Sequence, residues 1–355
     1  MAYFEIKNVA IRGISACVPP KIEENKDLSF YSDGEAEKVI SVTGIERRHV
    51  CSDGITASDL CLKAFEKLLV ELDWGKDTID LLGYVTQNPD YISQPTSFVI
   101  HDKFGLPETC MCMDFFHGCP GWTVGMSGIS SMISSGSIRR AVLLDGDMLS
   151  HDIPIQDREA KPLFGDAGTA TALEFSAGAP PIYFNIGTKS SGGRALIKEH
   201  GGYRSPWTLE SLKFELDKRR GGIPMEAVED KMDSMDIFSF AISKVPKNIK
   251  LLCEQYAIDL ASVDEIVLHQ ANKFIIQQIA KKLKVDNTKV PDGLKDFGNT
   301  SSASIPLTIV SECSDKYSSG KVKTLGCGFG TGLAWGCIYF ETDKIACPKV
   351  VTYEL

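Results

Sequence analysis

Short apolar runs alternate along the chain with stretches whose apolar residues recur every three to four positions. Residues 57–72 (ASDLCLKAFEKLLVEL) put Leu60, Ala64, Leu68 and Leu72 on one face and predict an amphipathic helix. Residues 80–86 read as a strand and 120–135 as a helix rich in small side chains, followed by short buried strands at 141–144 and 169–175. The second half repeats this alternation, with a helix at 237–257, a strand at 265–268, a helix at 272–283 and a closing strand at 336–342. Strands alternating with helices of this length predict an α/β fold, with mixed sheets covered by helices. The stretch from about 185 to 235 is more irregular and polar, and is expected to cap a site rather than build the core.

Composition narrows the class. The chain has 355 residues, 43% hydrophobic and 24% charged, with 31 glycines and 16 prolines, which excludes a disordered or collagen-like protein. A formal charge of −9 argues against a nucleic-acid partner, which normally meets a basic face. No run of about 18 apolar residues is long enough to span a membrane. The N-terminus, MAYFEIKNVAIRG, lacks the basic-then-apolar order of a signal peptide, so a cytoplasmic location is expected. Eleven cysteines are present, with no CxxC pair and no zinc-ligand spacing, so no metal is expected. Most read as reduced packing thiols.

One cysteine stands in a distinctive context, Phe115-Phe116-His117-Gly118-Cys119-Pro120-Gly121-Trp122. Proline is favoured at the first helical position, which predicts Cys119 as the N-cap or nearly so, with its thiol at the positive end of the helix dipole. His117 is expected to point away. A buried cysteine beside a turn is the plainer alternative. His269, in Val267-Leu268-His269-Gln270-Ala271-Asn272, falls between an apolar strand and a helix, where α/β proteins display site residues; a structural histidine is the ordinary reading. Asn299, in Phe297-Gly298-Asn299-Thr300-Ser301-Ser302, reads equally as an Asx-turn residue. Leu325-Gly326-Cys327-Gly328-Phe329-Gly330-Thr331-Gly332 lets backbone N–H groups approach a ligand, but no Lys-Ser/Thr follows and a phosphate loop is disfavoured.

Taken in order, Cys119, His269, Asn299 and the glycine-rich stretch ending at Trp335-Gly336 resemble the thiolase superfamily, and within it the β-ketoacyl-acyl carrier protein synthase III group. Thr43-Gly44-Ile45-Glu46-Arg47-Arg48 and Phe164-Gly165-Asp166-Ala167-Gly168 extend the resemblance over nearly the whole chain. It implies two similar halves, 1–178 and 179–355, in a five-layer αβαβα arrangement, and a homodimer. It also implies ping-pong acylation of Cys119, then decarboxylative Claisen condensation with malonyl-acyl carrier protein. His269 and Asn299 would hold the second thioester, and the N–H groups of Cys119 and Thr331, flanked by Gly330 and Gly332, would form an oxyanion hole. Acyl-CoA or acyl-carrier-protein thioesters would be substrates, with no permanently bound cofactor. Lys273, Lys281 and Lys282, on the helix after His269, would steer an acidic carrier protein.

The chain departs from the family pattern in places. Lys38 and Val42 stand where Trp and Arg clamp the adenine of coenzyme A, while the other adenine-contacting arginine is retained as Arg158. Phe115, Phe116 and His117 replace small residues before the nucleophile, and Gln94 replaces a Phe that lines the partner subunit's acyl pocket. An acyl group other than simple acetyl is therefore expected, with carrier protein as an alternative donor. Two other readings fit the motifs: acyl transfer to an alcohol or amine (or a polyketide- or quinolone-type condensation), and a non-catalytic partner subunit.

Overall fold

The computed structural model describes residues 2–153, 157–198, 201–208, 214–217, 223–226 and 231–354. Two sheets face each other across a helical layer. The first sheet has the order Val351–Thr352, Val9–Val18, Ala167–Phe175, Arg140–Asp147, Leu81–Thr86, Met111–Phe116. The second has the order Ala2–Ile6, Ile182–Thr188, Ala334–Asp343, Lys321–Gly330, Glu265–Leu268. Four strands of each sheet connect alike: Val9–Val18 and Ile182–Thr188 lie antiparallel to Ala167–Phe175 and Ala334–Asp343, these lie antiparallel to Arg140–Asp147 and Lys321–Gly330, and these run parallel to Leu81–Thr86 and Glu265–Leu268, respectively. The ends of the chain cross over: Ala2–Ile6 pairs with Ile182–Thr188, and Val351–Thr352 pairs with Val9–Val18.

Side-chain alternation explains the layering. In Arg140–Asp147, Ala141 and Leu143 face the layer between the sheets, while Val142 and Leu144 face the outer helices. A strand buried on both sides reads as a continuous apolar run, as Leu81–Thr86 does. Gly121–Ile133 and Ser304–Ser319 form the middle layer and touch both sheets. Ala57–Leu72 covers the outside of the first sheet, and Ser234–Gln255 with Lys273–Leu283 covers the second. Ala57–Leu72 begins in a capping box in which the Asp59 carboxylate accepts from the Thr56 N–H at 3.0 Å.

The helix at 57–72 matches its periodicity residue for residue. The strand expected at 141–144 runs on to Asp147, because ladder pairing with Ala167–Phe175 carries it past Asp145, where the apolar pattern stops. The expected cap begins later than 185, since Ile182–Thr188 is a ladder strand. Beyond it Leu196–Ile197 pairs with Lys231–Met232, and Phe214–Asp217 pairs with Ile223–Glu226. Residues 199–200, 209–213, 218–222 and 227–230 of that stretch lie outside the described residues.

Candidate active site

Each middle-layer helix begins at the same end of the molecule, and the candidate residues gather there. Cys119 is not the N-cap. The Gly121 N–H donates to the Gly118 carbonyl at 2.6 Å, closing a tight turn through Cys119 and Pro120, and the helix starts at Gly121 with Pro120 as its cap. The thiol thus lies one residue outside the cap, at the crest of the turn. Cys119 is buried, with only 6% of its surface exposed. Burial raises its pKa, and the buried Asp147 carboxyl pushes the same way; the Thr331 backbone N–H and the Ser301 hydroxyl act against both.

His269 follows the last residue of Glu265–Leu268, where the ladder to Lys321–Gly330 ends with the His269 N–H donating to the Cys327 carbonyl at 2.9 Å. Its ring stands edge-on to Phe329 at 5.2 Å, and Nδ1 lies 2.7 Å from the Ser304 hydroxyl. Burial lowers its pKa from 6.5 to about 3, so the ring is neutral at pH 7. Asn299 is fixed from the first half of the chain. Its N–H donates to the Leu163 carbonyl at 2.8 Å, and its carbonyl accepts from Gly165 at 3.1 Å. Its Oδ1 accepts from the Ser301 N–H at 2.9 Å, which assigns the amide flip and leaves Nδ2 as the free donor end. Arg48, buried at the end of the Thr-Gly-Ile motif, braces this junction. It donates to the Phe164 carbonyl at 3.3 Å and to Asn25 Oδ1 at 2.9 Å, and it pairs with Glu23.

Cys119, His269, Asn299, Gly330, Thr331 and Gly332 all line one cavity of about 540 Å³. Its wall is largely apolar, with Leu149, Phe164, Leu196 and Met232 among the contributors, so the expected cap region does supply part of it. His117 is among the lining residues, and one expectation for the acyl pocket needs correction. Phe116 reaches the cavity, but Phe115 turns onto the helix Gly121–Ile133, its ring packed over Gly128 where only a missing Cβ leaves room. Gln94 is exposed and outside this chain's cavity lining. Arg158 also lies outside it, held by Glu35 at 2.6 Å and over the Tyr31 ring. Lys273, Lys281 and Lys282 are all exposed, and Lys282 also donates to the Ile242 carbonyl at 2.9 Å. Gln87, Asp147, Ser301 and Ser304 were not singled out from the sequence, because residues 87 and 147 come near Asn299 only through strand packing. Among the described residues no cluster of three or more His, Cys, Asp or Glu could hold a metal, and no helix is long and apolar enough to cross a membrane.

Comparison with known proteins agrees with this architecture. Residues 113–190 match the family described as 3-oxoacyl-[acyl-carrier-protein] synthase III, and residues 253–342 match its C-terminal part. The β-ketoacyl-[acyl-carrier-protein] synthase III of Lactococcus lactis is 31% identical over 92% of this chain and 97% of its own length. The enzyme of that name from Streptococcus pneumoniae is 30% identical over 95% and 99%. A crystal structure of 3-oxoacyl-(acyl-carrier protein) synthase from Burkholderia xenovorans superposes with a TM-score of 0.91 at 32% identity, covering 99% of both chains. The layered α/β fold is that of a thiolase-fold, acyl-transferring condensing enzyme. The chain belongs to the β-ketoacyl-acyl carrier protein synthase III family.

Proposed function

We propose that the protein condenses an acyl thioester with malonyl-acyl carrier protein through an acyl-Cys119 intermediate. The observation that carries this reading is the convergence of Cys119, His269 and Asn299, from three separate segments, on one cavity. The Cys119 thiolate attacks the thioester carbonyl, the carrier thiol leaves, and the acyl group stays on sulfur. The N–H groups of Cys119 and Thr331, both of which act to lower the thiol's pKa, receive the oxyanion of that addition. In the second half-reaction the malonyl thioester oxygen takes hydrogen bonds from His269 and from Nδ2 of Asn299. The bond to the carboxylate breaks, carbon dioxide leaves, and the enolate carbon attacks the acyl-Cys119 carbonyl and expels the thiolate. A neutral imidazole suits this step, because it offers one N–H to the oxygen without delivering a full proton to the carbanion. The tautomer in which the Ser304 hydroxyl donates to Nδ1 carries that N–H on Nε2 and is the one this step requires.

The reading extends to donor, assembly and location. Arg158 is already paired with Glu35, and Val42 is a 57% exposed apolar residue, which favours a carrier-protein donor over coenzyme A. Met111–Phe116 is an edge strand of the first sheet. Tyr91, Ile92, Phe98, Met111 and Phe116, on it or near it in the chain, are exposed, and this apolar edge supports a homodimer with Gln94 directed at the partner's cavity. Eleven free thiols fit the reducing cytoplasm. A donor screen of acyl-CoA against acyl-carrier protein across chain lengths, read by intact mass, tests the first step. An acyl adduct on the wild type and none on Cys119→Ala is expected. Labelled malonyl-carrier protein should then release carbon dioxide, and acyl transfer without release would replace condensation by transfer to an alcohol or amine.

A further inference from the structure

The sulfur of Cys119 has a neighbour that the reaction above does not use. The Ser301 hydroxyl lies 3.9 Å from Sγ, as a donor to it. Ser301 is fully buried and holds a left-handed backbone, with φ +52°, which is uncommon for a residue other than glycine. Its N–H is tied to Asn299 Oδ1, so its place is fixed relative to Asn299 as well.

A second side chain orients that hydroxyl. Gln87 Nε2 donates to Ser301 Oγ at 3.0 Å. An oxygen that accepts from an amide has its single proton free for another direction; the sulfur is within reach, and so is the Asp147 carboxyl, whose charged form the Ser301 hydroxyl also favours. Gln87 is itself placed by its backbone N–H, which donates to Asp147 Oδ1 at 2.8 Å. The other oxygen of Asp147 accepts from the Ser302 hydroxyl at 2.6 Å and the Ser302 N–H at 3.2 Å. One buried carboxyl therefore anchors both Gln87 and the residue next to Ser301. The Gln87 side chain also lies against Gly118 of the nucleophile turn, where a Cβ would come within 2.8 Å of Oε1.

We propose that Gln87 and Ser301 form a hydrogen-bond relay that positions the Cys119 sulfur and stabilises its thiolate. Gln87 also lines the cavity, but in this relay both act through the sulfur and are positioning residues. The proposal rests on Cys119 being the nucleophile. Each of the relay's parts comes from a different segment, and Asp147 holds them in register. Burial disfavours a charged sulfur here, and the Ser301 hydroxyl is one of the few groups opposing it. The other titratable groups around the thiol are Asp147 behind Ser302, His117 on the same segment, His269, and Asp152, Asp157 and Lys198 on the cavity wall.

The test is the pH dependence of Cys119 alkylation by iodoacetamide, followed by intact mass and peptide mapping on the full chain. Ser301→Ala and Ser301→Gly both delete the hydroxyl, and glycine does so without backbone strain. Loss of a hydrogen bond to a charged group should raise the alkylation midpoint by about one to two pH units in both variants. Gln87→Leu should raise it by less, since the hydroxyl remains but is no longer held. Rates on the high-pH plateau should stay within about threefold of wild type, because a merely disordered turn would change the plateau rather than the midpoint. Unchanged midpoints in both Ser301 variants, or a shift in the alanine variant alone, would overturn the relay. Alkylation needs no acyl donor, so this result stands apart from whether wild-type enzyme condenses malonyl-carrier protein.

Discussion

Gly330→Ala perturbs the candidate site at one atom. A Cβ on Gly330 would stand 2.7 Å from the Cys119 sulfur and 2.8 Å from its Cβ. Ordinary contact begins near 3.4 Å, so the sulfur must retreat by at least 0.7 Å (3.4 − 2.7). The backbone behind it has little room, because the Cys119 carbonyl and Pro120 pack directly on Gly328. The remaining adjustment is rotation about χ1, which takes the sulfur away from the Thr331 N–H and the Ser301 hydroxyl. A displacement near 1 Å at a reacting atom costs on the order of 100-fold in rate. Single-turnover acylation of Cys119, quenched and read by intact mass, should therefore slow by about that factor. Gly330 is buried and holds φ +156°, so the alanine also strains the backbone and thermal unfolding should shift to lower temperature. Acylation within threefold of wild type, in a variant that remains folded at the assay temperature, would refute the assignment of Gly330 as the wall that seats the nucleophile.

His269→Ala should reduce carbon dioxide release from malonyl-carrier protein by about 100- to 1,000-fold, the usual effect of losing one oxyanion donor, with a much smaller effect on Cys119 acylation; equal loss in both half-reactions would place the residue elsewhere in the cycle. His269 also predicts a pH dependence of stability. Its folded pKa of about 3 lies below the unfolded 6.5, so the unfolded chain binds the extra proton, and the contribution is whole above about pH 6.5 and lost as pH falls toward 3. Between pH 6.5 and 5 the wild type should lose about 2 kcal/mol relative to His269→Asn, as read from urea midpoints, and parallel curves for the two proteins would contradict the neutral buried ring. Arg48→Ala strips donors from the Phe164 carbonyl, Asn25 and Glu23 in a fully buried site and should cost about 3–5 kcal/mol of unfolding free energy; a loss under about 1 kcal/mol would show that water replaces the guanidinium.

By itself the sequence determined the alternation of strands and helices, and it showed the helix at 57–72 to the residue, because an amphipathic face with a capping box is a local property. It also carried the motifs of Cys119, His269 and Asn299, whose order along the chain pointed to the family. Tertiary structure decided where those motifs act. Local rules favour proline at the first helical position, but the Gly121-to-Gly118 turn makes Pro120 the cap and lifts Cys119 off the helix end. Phe115 faces the helix Gly121–Ile133 because Gly128 leaves room for its ring, and a single-residue pattern does not record that. Asp147 shows the difference most sharply. In the sequence it is a polar residue at the end of an apolar strand; in the fold it accepts from Gln87 and Ser302, residues 60 and 155 positions away. Hydrogen bonds over such separations depend on how the sheet and the middle-layer helices are stacked, and only the assembled molecule fixes that.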